Sequence, residues 1–249
     1  MCKKTPIVSI IMPAYNAEKT IVKSLESVLN QSFEDWELLI TDDNSTDSTK
    51  DIILRYVKLD NRIKYFLNSG VNGAWSARNN SLRKVSGKFV AFLDSDDMWY
   101  PAKLALQLEA IDETGESACH SAYDRVNVEG LKIGYKAAKK LVTFEDMLKK
   151  NEIGNLTGIY DREKLGVFFQ QAIGHEDYAM WLKILKNTNS VGVQMPLASY
   201  RVDNTSLSAN KLQAAKWHFN ILKNQDNVNY FNIWYYFFCY TYNALKLRV

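Results

Sequence analysis

Four short apolar runs in the first hundred residues limit the possible fold of this chain most strongly. They occupy residues 8–12, 36–40, 63–66 and 89–93. None of them alternates regularly between apolar and polar side chains, and the segments between them repeat apolar residues at helical steps, as Ile21, Leu25 and Val28 do. Strands that are apolar on both faces are typical of a parallel sheet covered by helices on both sides. The sequence therefore predicts an α/β fold, with a mostly parallel, Rossmann-like sheet flanked by helices.

The second half of the chain has a less regular pattern. A helix is predicted from Pro101 to about Thr114, a strand over residues 119–126, and a helix over residues 176–186. Thr143 and Asp146 have the spacing of a capping box and predict another helix start. No internal repeat or low-complexity linker divides the sequence.

Composition excludes several classes of protein. A chain of 249 residues with 47% apolar residues buries a full core, which excludes a disordered tail, a disulfide miniprotein and a collagen-like rod. Three scattered cysteines favour reduced thiols and a cytoplasmic protein. The first residues resemble a strand more than a signal peptide. The two commonest nucleotide-binding loops, G-x-x-x-x-G-K-[ST] and a strand-borne G-x-G-x-x-G, are absent.

Polar residues follow the predicted strands where ligands of open α/β sheets bind. These groups are Pro13 to Asn16, Asp42 with Asp43, Asn72 with Gly73, and Asp94 to Asp97. Three acids within four residues repel one another unless a cation offsets their charge, and Asp94 and Asp96 would point the same way in an extended segment. Simpler interpretations stay open: Asn16, Asp42, Asp43, Ser45 and Asp97 as helix caps, and the DSDD segment as a surface turn.

The motifs and their order resemble glycosyltransferase family 2, the inverting nucleotide-sugar transferases of GT-A fold. The resemblance covers roughly residues 6–211 and is carried by VSIIMPAYNAEKTI, WELLITDDNSTDST, NGAWSARNN, GKFVAFLDSDDMWYP and GHEDYAMWLKIL. It implies a GT-A catalytic domain over residues 1–208. The nucleotide-binding half would be about 1–118, the acceptor-binding half about 119–208, and residues 209–249 would form a helical tail.

The resemblance also implies roles for individual residues in donor binding. Pro13, Ala14, Tyr15 and Asn16 would line the nucleoside pocket, and Asp43 would bind the base, normally uracil. Arg78 would lie near the diphosphate, although a helix-surface arginine is the simpler alternative. Asp94 and Ser95 would approach the ribose or sugar. Asp96, with Asp97 sharing the role, would hold a divalent Mn²⁺ or Mg²⁺ that stabilises the leaving diphosphate.

Direct displacement with inversion needs one base to take the proton of the acceptor hydroxyl. Asp177 matches the position of the family's base and Glu176 would support it, while the helix dipole alone also favours two acids at a helix start. A retaining hydrolase, a nucleotidyltransferase and a non-catalytic sugar-nucleotide or partner-binding module stay open as alternatives. A nucleotidyltransferase would need a Gly-rich basic loop where this chain has PAYNAEKT.

Two departures from the family pattern affect the expected activity. Asp203 stands where many relatives have histidine. The Q-x-x-R-W signature of processive synthases is absent, which favours transfer of one hexose or N-acetylhexosamine and disfavours polymer synthesis. The resemblance implies a UDP-linked donor.

The last 41 residues differ in charge from the rest of the chain. They hold five basic residues and one acid, so the net charge of +3 becomes −1 over residues 1–208. Phe231, Trp234, Tyr235, Phe238 and Tyr242 recur at helical steps on one predicted face. A basic, aromatic amphipathic helix favours the surface of an anionic membrane. We therefore expect a peripheral protein at the inner face of the cytoplasmic membrane, with a lipid-linked saccharide as acceptor and no nucleic-acid partner. Packing of the tail on the catalytic domain or in a homo-oligomer is the alternative.

Overall fold

The computed structural model describes residues 5–202, 211–226 and 228–246. The strands within this part of the chain are β1 (Val8–Ala14), β2 (Trp36–Asp42), β3 (Ile63–Leu67), β4 (Phe89–Phe92), β5 (Met98–Trp99), β6 (Ala118–Val126), β7 (Lys132–Lys136), β8 (Leu141–Val142), β9 (Ile159–Asp161) and β10 (Ser190–Arg201). The α-helices are α1 (Ile21–Leu29), α2 (Thr49–Leu59), α3 (Ala74–Leu82), α4 (Lys103–Thr114), α5 (Phe144–Lys149), α6 (Arg162–Leu165), α7 (Glu176–Leu185), α8 (Lys211–Lys223) and α9 (Tyr230–Lys246).

One sheet runs through both halves of the molecule. Its main order is β3-β2-β1-β4-β9-β6-β10-β5, with β7 on β6 and β8 on β10. The four predicted strands of the first half are present and pair in parallel. β6 and β10 are parallel as well, and antiparallel β9 joins the two parallel groups. The chain moves outward from β1 to β3 and returns to the other side of β1 with β4, so the strand order reverses beside the carboxyl end of β1.

Burial of both sheet faces explains the missing polar alternation in the sequence. Ile10 of β1 belongs to an apolar cluster with α1 and α2 on one face, while Ile11 belongs to a second cluster with α7 on the other. Trp181 of α7 is fully buried in the second cluster and packs edge-on against Phe92 and Tyr160. The central strands β1, β2 and β4 are therefore buried on both faces, as the apolar runs predicted.

Several predictions about helix ends need correction. Asn16 does not cap α1: the helix starts after Thr20, and the Asn16 Oδ1 accepts a hydrogen bond from the Thr46 N–H over 2.8 Å. Asp42, Asp43 and Ser45 do not cap α2, which starts after Ser48, and Asp97 does not cap α4, which starts after Ala102. The predicted capping box of Thr143 and Asp146 is confirmed at the start of α5.

The last two described helices, α8 and α9, pack through one face on the helical layer that covers the sheet. Ile221, Leu222 and Ile233 are buried in the second apolar cluster. The opposite face of α9 is exposed and includes Phe231 and Phe238, which are 85% and 69% accessible. Among the described residues, none of the helices has the length and apolar character needed to cross a membrane.

Candidate active site

The principal pocket of about 760 Å³ lies where the strand order reverses, beyond the carboxyl ends of β1, β2 and β4. Eleven of the residues singled out in the sequence line it: Pro13, Ala14, Tyr15, Asn16, Asp43, Asn72, Gly73, Arg78, Asp94, Ser95 and Asp96. They come from four separate stretches of the chain. Three follow β1, β2 and β4, which pair in parallel, and the fourth leads into α3 and includes Arg78. The expectation of a shared ligand site at this edge therefore matches the geometry.

Asp43 is held in the pocket wall by hydrogen bonds from two loops. Its backbone N–H donates to the Ala14 carbonyl over 2.8 Å, which fastens the end of β2 to the end of β1. Its carboxylate accepts from the Asn68 amide over 2.6 Å and from the Gly73 N–H over 2.7 Å. Gly73 has φ +138°, a backbone conformation that side chains rarely allow, and it starts α3. Each carboxylate oxygen of Asp43 accepts one of these hydrogen bonds, and together they fix the orientation of the side chain.

Arg78 of α3 is buried, so the alternative of a helix-surface arginine is wrong. One terminal nitrogen donates to Asp94 Oδ1 over 2.6 Å, and the other donates to Gln170 Oε1 over 3.3 Å. Burial disfavours the charged guanidinium, but Asp94, together with Asp177 and Glu176, raises the pKa of Arg78 above its ordinary value. Its Nε is buried and has no hydrogen-bond partner among the described residues. A fixed positive charge therefore lines the pocket.

Gln170 was not predicted from the sequence, although it holds Arg78 in place. Its backbone N–H donates to the Asn79 side chain and its carbonyl accepts from the same side chain, each over 2.8 Å. Gln170 is 92 positions from Arg78 along the chain and belongs to no motif, so no local signal indicated the contact. Lys19, Thr20 and Arg201 also line the pocket without having been predicted.

The DSDD segment forms a turn and not the extended segment expected. The Asp97 N–H donates to the Asp94 carbonyl over 3.1 Å, and the turn presents Asp94, Ser95 and Asp96 to the pocket. The pocket walls displace water from around Asp96, and Asp94 repels its charge, so the pKa of Asp96 is raised to about 6. Among the described residues, the hydrogen bond to this carboxylate comes from the backbone of Asp96 itself.

Asp97 does not line the pocket. Its side chain is buried, and its Oδ1 accepts from the Arg201 N–H over 2.9 Å, which joins the turn to the end of β10. Burial, followed by repulsion from Asp96 and Asp94, raises the pKa of Asp97 well above its usual range. The geometry thus gives Asp97 a contact with the β10 backbone, whereas Asp96 faces the pocket.

Glu176 and Asp177 begin α7 beside the pocket without lining it. Both are partly exposed, and the negative charge of both helps to raise the pKa of Arg78. The preceding loop is unusual, because Gly174 and His175 have φ values of +67° and +49°. A non-glycine residue in this region carries backbone strain that the surrounding structure must offset, and such strain is common at functional sites.

Comparisons with known proteins identify the family to which the chain belongs. The family model "Glycosyl transferase family 2" matches residues 9–169. The chain is 39% identical over 218 residues to the UDP-Glc:alpha-D-GlcNAc-diphosphoundecaprenol beta-1,3-glucosyltransferase WfgD of Escherichia coli, covering 87% of this chain and 85% of WfgD. It is 38% identical to the putative teichuronic acid biosynthesis glycosyltransferase TuaG of Bacillus subtilis, covering 98% of each chain.

The fold resembles the crystal structure of TarS from S. aureus, with a TM-score of 0.68 and 23% identity. The match covers 88% of this chain but only 40% of TarS. The chain belongs to glycosyltransferase family 2, and its α/β sheet with flanking helices is a GT-A fold.

Proposed function

We propose that this protein transfers a single hexose or N-acetylhexosamine from a UDP-linked sugar to a lipid-linked saccharide, with inversion at the anomeric carbon. The observation that carries the proposal is the convergence of four side chains on one pocket: Asp43, Arg78, Asp94 and Asp96. Asp177 lies near enough to Arg78 to raise its pKa. Such a site offers a wall for the nucleoside, a cation for the diphosphate and a carboxylate for the acceptor.

The names of three relatives make glucose the first sugar to test. WfgD and WfaP of Escherichia coli are named as transferring from UDP-Glc to a diphosphoundecaprenol-linked GlcNAc, and a Campylobacter jejuni relative is named as a beta-1,3-glucosyltransferase on a diphosphoundecaprenol-linked saccharide. We extend this chemistry to the present chain as a working assignment: UDP-glucose as donor and a polyprenyl-diphosphate saccharide as acceptor.

In the proposed mechanism the acceptor hydroxyl gives its proton to Asp177 as it attacks the anomeric carbon, and the UDP leaves from the opposite side. The hydroxyl oxygen forms the new glycosidic bond while the bond from the anomeric carbon to the phosphate oxygen breaks. Glu176 supports Asp177 at the start of α7, and Pro13 to Asn16 with Asp43 hold the nucleoside. Arg78 places its positive charge near the diphosphate, where negative charge develops.

The residues of the turn fit a divalent cation. Asp96 is a carboxylate with a raised pKa, and within the described residues no cation pairs with it in an ion pair. No group of three or more acidic, cysteine or histidine side chains that could hold a metal occurs in the described part of the chain. Asp96 would therefore hold Mn²⁺ or Mg²⁺ together with donor phosphates and water, as hard divalent ions prefer. A bound ion supplies positive charge beside the leaving diphosphate.

The exposed face of α9 supports attachment to the inner face of the cytoplasmic membrane. Phe231, Trp234, Tyr235, Phe238 and Tyr242 are each at least half exposed and share this face, as the sequence spacing predicted. Aromatic side chains of this kind favour the interface of a bilayer, where a lipid-linked acceptor lies. Residues 209–249 then serve as the membrane-facing tail of a catalytic domain formed by residues 1–208.

A transfer assay with a defined stereochemical readout tests the proposal. UDP-glucose, UDP-galactose and their N-acetylhexosamine counterparts are incubated with Mn²⁺ or Mg²⁺ and a synthetic lipid diphosphate of N-acetylglucosamine. We expect UDP release with one of these donors and a product with β configuration by NMR. Asp96→Asn should lower turnover about 100-fold, whereas Asp51→Asn on the exposed surface of α2 should not. Transfer with retained configuration, or no transfer from any donor, would contradict it.

A further inference from the structure

A second groove of about 720 Å³ lies beside the loop that leads into Asp177. One wall is the loop from Ala172 to Gly174, and the other is a polar stripe of α8 that includes Lys216, Asn220 and Lys223. The stripe residues are four and seven positions apart, so they lie on one side of the helix over about two turns. The groove shares no lining residue with the principal pocket.

Aromatic packing joins α8 to the start of α7. A Cβ added to Gly174 would lie 2.3 Å from Trp217 Cδ2, so the glycine backbone lies directly on the indole, and the His175 ring packs edge-on against the same indole at 5.4 Å. The buried ring of His218 is stacked between Tyr178 and Tyr240, with centroid distances of 4.9 and 3.7 Å. The groove is therefore fixed in position relative to the proposed base, Asp177.

The charge of the groove points to an anionic ligand. Lys216 and Lys223 are exposed and both line it. Within the described part of the chain neither lysine forms an ion pair. Asn220 stands between them with an amide that donates hydrogen bonds. Two uncompensated ammonium groups and an amide on one groove wall suit a diphosphate, since lysine binds phosphate as a point charge.

An apolar groove of about 450 Å³ continues from the same stripe on its other side. It shares Lys216 and Asn220 with the polar groove and is otherwise lined by Ala215, Phe219, Trp234 and Phe237. Phe219 contacts the rings of Trp234 and Phe237, each at 5.2 Å between centroids, so this groove runs between α8 and α9. Trp234 also belongs to the exposed aromatic face of α9. A ligand with a diphosphate at the lysines would thus find apolar surface on the side away from Asp177.

We propose that the groove between α8 and the Ala172–Gly174 loop binds the diphosphate of an isoprenoid-diphosphate acceptor, and that the groove between α8 and α9 binds the first units of its hydrocarbon chain. The inference rests on the proposed function, because it assigns the lipid part of that acceptor. The saccharide would then extend toward Asp177, and the rest of the chain would follow α9 to the membrane.

Binding of geranylgeranyl diphosphate to the whole protein, saturated with UDP so that the nucleotide pocket is filled, tests this assignment. We expect Lys216→Ala/Lys223→Ala to raise the dissociation constant at least tenfold, measured by calorimetry. Lys216→Arg/Lys223→Arg should restore binding to within a few fold, since arginine also binds phosphate. Lys50→Ala/Lys58→Ala on α2 removes two exposed lysines elsewhere and should change the constant by less than twofold.

Three results would overturn the proposal. Equal dissociation constants for the wild type and Lys216→Ala/Lys223→Ala would remove the diphosphate site. If Lys216→Ala/Lys223→Ala bound geranylgeranyl diphosphate as the wild type does but no longer bound phosphatidylglycerol vesicles, the groove would be a phospholipid headgroup site. If the same variant lost as much affinity for the uncharged geranylgeraniol as for geranylgeranyl diphosphate, the lysines would not recognise the diphosphate. Failure of the proposed function is visible separately, as absence of sugar transfer by the wild-type protein.

Discussion

At the scale of single residues, the sequence predicted the residues that line the site better than the residues that hold those side chains in place. Asp43 and Asp96 follow strand ends and Arg78 stands in a short motif of α3, so their position could be predicted from the strand pattern and the family resemblance. Gln170 could not be predicted, because its contact with Arg78 depends on tertiary packing. Asp97 could not be separated from Asp96 by sequence either, since only the turn geometry directs one side chain to the pocket and the other to Arg201.

Lys103 provides a residue-scale prediction about pH. It is fully buried, its ammonium donates to Gln107 Oε1 over 2.6 Å, and burial lowers the pKa of Lys103 to about 7. In the unfolded chain its pKa is about 10.4. Between these values the unfolded state binds more protons, so the stability contributed through Lys103 rises with pH and is lost as pH falls toward 7.

We therefore expect Lys103→Met to reduce the slope of unfolding free energy against pH between pH 7 and 8.5 by up to about 1.4 kcal/mol per pH unit. Urea unfolding at several pH values measures the slope. Lys50→Met, at an exposed position of α2, should leave it as in the wild type. Parallel pH profiles for the wild type and Lys103→Met would show that Lys103 stays charged when buried.

At the scale of elements, α9 has two faces with different roles. Ile233 and Tyr240 face the rest of the protein, and the predicted aromatic stripe faces solvent. The sequence predicted the stripe but left open whether it packs on protein, because periodicity shows a face without showing its partner. Truncating the tail would expose the apolar residues that α8 and α9 cover, so substitutions on the exposed face are the better test.

Phe231→Ser/Phe238→Ser should weaken binding to anionic vesicles by tenfold or more, because the variant loses the favourable free energy of transferring each phenyl ring to the bilayer interface, about 2 kcal/mol per ring. Co-sedimentation with vesicles of phosphatidylglycerol and phosphatidylcholine measures the partition. Leu59→Ser/Val71→Ser removes two residues that are 78% and 72% exposed elsewhere and is the matched control. Unchanged partitioning of the α9 variant would place any membrane contact on another surface.

At the scale of the whole molecule, the parallel half of the sheet was predictable and the connecting region was not. β1, β2 and β4 are buried on both faces, and helices separate the four strands from one another, so their pattern is visible in the sequence. β8 and β9 have two and three residues, too few for a periodicity, and they form only because longer neighbours pair with them. The order β4-β9-β6 therefore depends on tertiary contacts that no local pattern encodes.

The central claim is that Asp177 acts as the base for sugar transfer at a pocket that binds the nucleotide through other residues. Comparing Asp177→Asn with Glu176→Gln separates the two roles, because both substitutions remove one charge at the start of α7. The decisive measurement is the transfer rate of Asp177→Asn at saturating donor, together with its dissociation constant for UDP. We predict a loss of transfer of about 1,000-fold with UDP affinity within threefold of the wild type, and a smaller loss for Glu176→Gln. Transfer by Asp177→Asn above a tenth of the wild-type rate would contradict the account.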